Sequence, residues 1–293
     1  MRIRPDISKQ TIAESKEVAL SLSGCGFLGT YHIGAAVCLY RHGKLLMQKV
    51  TRIGGASAGS LVASLLVLKP DKLPAALATF YKMATELHSL PFGALTPKYT
   101  LQDRLLEVVD AHLPEDISPA QGRLMVSLTN YQSRENELVS QFRDRKHLIE
   151  TLLASCYIPV YSRGLYAPRP SIDGIEFFDG FYSNNLPDWP DIKTITISPF
   201  SGNADIAPND PQPWRAPWTV DFGKHSIAAN FRNLIRGKHA LFPPSLEQLR
   251  HYYRQGYTDA YNFLRANKLT DDQLTEELLA DGYSPEEIDD LKK

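Results

Sequence analysis

Between Val18 and Pro70 the chain contains no aspartate and no glutamate. A dinucleotide site built on the glycine loop in this stretch would need an acid about 20 residues downstream to hold the ribose, so that class of cofactor is excluded. A phosphate-binding Walker loop is missing as well, because Gly43-Lys44, Gly223-Lys224 and Gly237-Lys238 are not followed by Ser or Thr. Cysteine is scarce. Cys25, Cys38 and Cys156 are an odd number with no CxxC spacing, and the chain opens without the apolar core of a signal peptide. This usage excludes a disulfide scaffold and leads us to expect a reducing, cytoplasmic compartment. Long hydrophobic runs are also lacking: Leu61 to Leu68, with a serine inside it, is the longest and falls well short of the ~20 residues of a spanning helix. Membrane contact is therefore expected to be peripheral. Neither HExxH nor paired-cysteine spacing occurs, so no metal and no cofactor is expected.

What is present suffices for a folded domain. The 293 residues are 43% hydrophobic and 22% charged, enough to bury a substantial core as one domain, or as one domain with an appendage. Net charge is -1, but residues 270 to 293 hold nine acids against two lysines, leaving an excess of six positive charges on residues 1 to 269. That excess is too mild for a nucleic-acid partner; it suits an anionic lipid surface or simply scattered solvated charge.

Strands alternate with helical patterns over the first two hundred residues, which predicts an α/β fold with a mainly parallel central sheet. Val18, Leu20 and Leu22 mark a first strand, Phe27 to His42 a helix closed by Gly43, Val50 to Gly54 a second strand, and Ala58 to Leu68 a helix ended by Pro70. Leu124 to Thr129 and Glu137 to Phe142 read as paired strands, followed by a helix from about Asp144 to Ser155 and a strand over Lys193 to Ser198. Prolines at 208, 211, 213 and 217 mark an irregular connection into a C-terminal third expected to be all-helical. Ser245 with Gln248, Thr270 with Gln273, and Ser284 with Glu287 have capping-box spacing, the last two starting an acidic helical hairpin. The expected organisation is an N-terminal extension over 1–16, a catalytic domain over 17–202, a helical extension over 203–269 and the hairpin over 270–293.

The chemistry centres on Gly55-Ala56-Ser57-Ala58-Gly59. Gly-x-Ser-x-Gly alone is a weak signal, but here it lies between a strand and a helix, where small neighbours let the serine take a strained backbone and project its hydroxyl. Upstream, Gly24-Cys25-Gly26-Phe27-Leu28-Gly29 makes a second strand-to-helix turn, whose N–H groups can bind the oxyanion of an acyl-transfer intermediate, each worth about 3 kcal/mol. A serine hydroxyl also needs a base within about 3 Å. Asp-Gly occurs at Asp173, Asp179 and Asp281, and is ordinarily a turn. Asp179 differs: it ends the apolar stretch Ile175 to Phe178 and precedes the polar loop Ser183-Asn184-Asn185-Leu186-Pro187. As a base it would need desolvation, because a solvated aspartate has a pKa of ~3.9.

These landmarks, with Ser198-Pro199-Phe200-Ser201-Gly202 and Ala240-Leu241-Phe242-Pro243-Pro244 in the same order, resemble the patatin-like phospholipase family, in particular its animal branch with adipose triglyceride lipase and adiponutrin. The resemblance spans roughly Glu17 to Leu264. It implies a three-layer α/β/α sandwich with a C-terminal helical extension, and a Ser57-Asp179 dyad that uses no histidine. Gly24, Cys25 and Gly26 would form the oxyanion hole, with Gly55 and Gly59 shaping the elbow and Phe27, Leu28 and Ile158 touching substrate. His32 is expected to be an ordinary helix-face residue. The implied activity is hydrolysis of triacylglycerol, retinyl ester or phospholipid, or acyl transfer between lipids, at a lipid droplet or membrane surface, with room for a protein coactivator. A second reading stays open: a lipid-binding or regulatory protein that turns over slowly and acts through partners, suggested by the helical third and its acidic hairpin.

Overall fold

The computed structural model describes residues 11–164, 167–210, 218–222 and 225–270. The acidic hairpin, with its two capping boxes, and most of the N-terminal extension lie outside these residues. In chain order the elements are β1 (Val18–Leu22), α1 (Gly29–His42), α2 (Lys44–Met47), β2 (Val50–Ala56), α3 (Ala58–Leu68), α4 (Leu73–His88), α5 (Leu101–His112), β3 (Leu124–Asn130) and β4 (Asn136–Val139). There follow α6 (Arg145–Ser155), β5 (Ser171–Ile172), β6 (Ile175–Asp179), α7 (Phe181–Asn184), β7 (Lys193–Ile197), β8 (Thr219–Phe222), β9 (His225–Ala228), α8 (Phe231–Leu241) and α9 (Leu246–Ala266). The expected α/β architecture with a mainly parallel central sheet is what the chain adopts.

Seven strands form the main sheet in the order β5-β6-β3-β2-β1-β7, with β4 on the free edge of β3. The centre is parallel, β7 with β1, β1 with β2 and β2 with β3, while β4 and β6 run antiparallel to β3. All five residues of β1 are buried. Successive strand residues point to opposite faces, so both faces of the sheet are covered at β1, as is usual for a central parallel strand. Helix α3 packs against β1, β2 and β3, and its Val62 and Leu66 join the core with Ala35 and Leu39 of α1.

The strand expected to end at Phe142 stops at Val139. Beyond it the Gln121 side chain takes over the ladder, accepting from Phe142 N–H at 2.9 Å and donating to its carbonyl at 2.6 Å. The C-terminal third is not all-helical: β8 and β9 form an antiparallel hairpin after the prolines, held to the domain by a bridge from Ile227 to Gly202. The proline cluster hid four-residue strands too short to show a period. Helix α9 starts where the capping spacing placed it, with Ser245 Oγ accepting from Gln248 N–H at 3.3 Å. It packs along α1 through Tyr31 O–H to Asp259 Oδ2 at 2.7 Å and a 2.6 Å bond between His42 Nε2 and the Tyr257 hydroxyl. Among the described residues no helix is long and apolar enough to cross a membrane.

Candidate active site

Ser57 occupies the single residue between β2 and α3, at φ 51° and ψ -130°. A non-glycine residue there stores roughly 1–3 kcal/mol of strain, and the surrounding bonds hold it. Ser57 N–H donates to Ser155 Oγ at 2.9 Å, and Ser155 O–H donates in turn to the Ser127 carbonyl at 2.7 Å. The Ser57 carbonyl accepts from Ser60 N–H at 2.9 Å and Ser60 O–H at 2.7 Å. The end of β1 lies directly against the elbow. A Cβ on Gly55 would stand 2.7 Å from the Leu22 carbonyl oxygen, and one on Gly59 would stand 2.3 Å from it. Neither position has room for a side chain.

Strand β3 brings the aspartate to the serine. On one edge it pairs with β2 as far as Ala56, opposite Ser127, and at the next residue β6 begins its pairing, with Asp179 opposite Leu128. Asp179 is 1% exposed. Its N–H donates to the Tyr157 carbonyl at 2.9 Å and its carbonyl accepts from Thr129 O–H at 2.7 Å. The carboxylate accepts from Phe181 N–H at 2.8 Å, and the Ser57 side chain lies beside it in the same cavity wall. Burial pushes its pKa from the usual carboxylate range up to about 7, against the opposing pull of Phe181 N–H and the nearby Ser57 side chain. A buried carboxylate with that affinity for protons can exchange one with a hydroxyl near neutral pH.

The glycine loop divides its amides. Gly24 N–H, expected to face a reacting oxygen, is committed to Asn185 Oδ1 at 2.7 Å. Cys25 and Gly26 N–H have no acceptor among the described residues, and they open the turn that feeds α1, where helix dipoles add positive potential. His32 stands behind this loop, fully buried, with Nε2 donating to the Ser23 carbonyl at 2.8 Å. Burial drives its pKa down to about 4, so it is neutral in the physiological range and supports the loop as a packed helix residue.

Ser57, Asp179, Cys25 and Gly26 open into a cavity of about 330 Å³. Phe27 and Ile158 line it; Leu28 does not, being buried in the core. The loop turns at Gly26, φ 52°, so that Phe27 faces the cavity and Leu28 turns inward. Among the described residues of the wall Asp179 is the one carboxylate, and none is a lysine or arginine. The buried, free thiols of Cys25 and Cys156 are also there, both pushed well up by burial and by the Asp179 charge. Raised in this way, both thiols stay protonated.

The family model for patatin-like phospholipases matches residues 20–188, a span that takes in the glycine loop, Ser57 and Asp179. The chain belongs to the patatin-like phospholipase family. Its relatives include human patatin-like phospholipase domain-containing protein 4, 44% identical over 85% of this chain and 97% of that one. Rat patatin-like phospholipase domain-containing protein 2 is 40% identical over 85% of this chain and 51% of its own length. Human 1-acylglycerol-3-phosphate O-acyltransferase PNPLA3 is 36% identical over 84% of this chain and 50% of its own. The chain thus spans nearly all of the first and about half of the other two. It is a carboxylic ester hydrolase of the lipase and phospholipase class.

Several residues of this patatin-like site carry no signal of their own role in the sequence. Ser155 and Thr129 act through buried hydrogen bonds to the main chain beside Ser57 and Asp179, and serine or threonine at the end of a helix or strand is ordinary. Asn185 was visible only as part of a polar loop. Gly237, Ala240 and Leu241 of α8 close one side of the cavity from more than fifty residues downstream of Asp179.

Proposed function

We propose that the chain hydrolyses esters of long-chain neutral lipids through a Ser57-Asp179 dyad, and the meeting of Ser57 with the buried Asp179 carboxylate in one cavity wall, where β2 and β6 end on adjacent rungs of β3, carries this reading. Ser57 Oγ attacks the ester carbonyl carbon as its proton passes to Asp179. Cys25 and Gly26 N–H donate to the oxyanion, with Gly24 ordering the loop through Asn185. Collapse expels the alcohol, which takes the proton from Asp179 and leaves an acyl-serine. Water, giving its proton to Asp179, then releases the fatty acid, and the proton returns to Ser57 Oγ. A lipid alcohol in place of water would complete acyl transfer with the same groups.

Triacylglycerol and retinyl ester suit the cavity better than phospholipid, because among the described residues its wall is largely apolar and offers an anionic headgroup no lysine or arginine. A smaller apolar void adjoins it between α3, α4 and α5, sharing Ala58, Leu61 and Phe80, and continues the path of an acyl chain. The setting we infer is the cytoplasmic surface of a lipid droplet or intracellular membrane, with a protein coactivator as a further partner. A fluorophosphonate probe tests the reading: wild type is labelled and Ser57→Ala is not. An unlabelled wild type would instead favour a slow, lipid-binding role. Lipid profiles of cells expressing wild type or Ser57→Ala would then name the substrate.

A further inference from the structure

Helix α8 is amphipathic in the reverse sense. The side that meets the protein is polar: Asn233 Nδ2 donates to the carbonyls of Ser201 and Ala228 at 2.9 and 2.7 Å, and Arg236 forms a buried ion pair with Asp210 at 2.5 Å. The side that meets water is apolar. Phe231 is 74% exposed, Leu234 69%, Ile235 37% and Leu241 41%, and at 3.6 residues per turn the four share an arc of about 120°. A surface helix normally turns such a stripe toward the core. Here buried polar bonds pay for the opposite orientation.

The position of the stripe says what covers it. Gly237, Ala240 and Leu241 of the same helix line the cavity that holds Ser57, and the Tyr161 hydroxyl ties the Leu241 carbonyl to the rim. The helix is therefore one lip of the cavity, and its outer face continues from the opening. Next to its start stands Trp218, 84% exposed, its carbonyl accepting from Ala229 N–H at 2.7 Å. Tryptophan is the side chain suited to a membrane interface, apolar in body and polar at its N–H. The helix carries no acid, and the exposed Lys238 falls within the apolar arc.

We propose that α8 and Trp218 dock the protein on an anionic phospholipid bilayer. Phe231, Leu234 and Ile235 enter the acyl region, Lys238 pairs with headgroups, and the cavity mouth is held against the lipid. The orientation rests on the lipid-ester reading of the cavity; the docking itself is measured without catalysis.

Flotation of the full chain with vesicles of phosphatidylcholine, alone or with one third phosphatidylserine, tests it. Wild type and Ser57→Ala should float equally with the mixed vesicles. The double variant Phe231→Ser, Leu234→Ser should lose roughly tenfold or more in partitioning, given the apolar area withdrawn from lipid. Lys238→Gln should lose about fivefold on the mixed vesicles alone. All of these except Ser57→Ala should still hydrolyse a soluble butyrate ester and unfold at the wild-type temperature, so lost flotation cannot be laid to misfolding. Wild type that fails to float, or a double variant that floats like wild type, overturns the proposal. A wild-type dimer that the double variant dissolves does so too, because a second copy would then be the cover. Flotation without ester hydrolysis by wild type would retain the docking surface and discard the proposed reaction.

Discussion

Ala56 and Asp179 occupy successive rungs on one edge of β3, opposite Ser127 and Leu128. Two strands that approach from opposite directions end head to head there, and the residue leaving one of them is Ser57. The meeting of hydroxyl and carboxylate is thus set by strand register, which a slip of even one residue would reverse. Replacing Asp179 with Asn keeps the backbone register and an acceptor for Phe181 N–H but removes the base. On a soluble ester Asp179→Asn should lose on the order of 10²-fold or more in kcat/KM. Asp173→Asn should lose none, since Asp173 sits in an exposed turn paired with Arg143 at 2.5 Å. Equal effects would remove Asp179 from the mechanism.

The base must be ionised to accept a proton, so kcat/KM should rise with pH through a limb near Asp179's pKa of about 7. Activity at pH 5 should be about a hundredth of the plateau. A limb near 4 would mean that the carboxylate is solvated in the working enzyme.

The same burial has an opposite effect on stability. Asp179 binds its proton more tightly folded than unfolded, so its contribution is complete below the ordinary aspartate pKa and is lost as pH rises toward about 7. Asp259, pushed up to about 6 by burial, adds to this slope, so the variant comparison is what isolates Asp179. Asp179→Asn should unfold at a higher temperature than wild type at pH 8, and the gap should close by pH 4. A constant gap across that range would show that the asparagine acts through packing alone.

Much of this arrangement is legible in the chain. The elbow glycines, the helix over Ala58 to Leu68 and the Asp179 strand end announce themselves because backbone constraint and hydrophobic period are local. What the sequence conceals is long-range or reversed in sense. Asn185 claims Gly24 N–H from 161 residues away, so the loop has fewer free amides than its glycines suggest. Leu28 reads like a pocket residue beside Phe27, yet the turn at Gly26 sends it to the core. In α8 the periodicity is genuine, but buried hydrogen bonds to Asn233 and Arg236 decide which side faces inward, and no hydropathy pattern encodes them.

Ser155 links the elbow to β3, so its removal should be felt at both ends. Ser155→Ala leaves Ser57 N–H and the Ser127 carbonyl buried without this partner, at about 1–3 kcal/mol. The strained serine would lose the bond that fixes it, and kcat should fall more than KM changes. Rescue by Ser155→Thr, which restores the hydroxyl, separates this role from simple packing. If Ser155→Ala lowers stability while kcat is unaltered, Ser155 supports the fold and does not position the nucleophile.

Phe80 stands in both walls, that of the main cavity and that of the apolar void beyond it, and packs on Phe27 with ring centres 5.9 Å apart. An acyl chain bound at Ser57 and running between α3 and α4 must pass this ring. Trimming it in Phe80→Ala should join the two spaces and extend the apolar path toward Val109 and His112. Each further methylene buried is worth about 0.8 kcal/mol, so two more would raise kcat/KM for a long-chain ester roughly tenfold relative to its butyrate analogue. The measurement is that ratio, because a general loss of stability or activity lowers both substrates together and cancels. An unchanged ratio would mean that the acyl chain leaves the cavity by another route, past Tyr161 and the α8 lip.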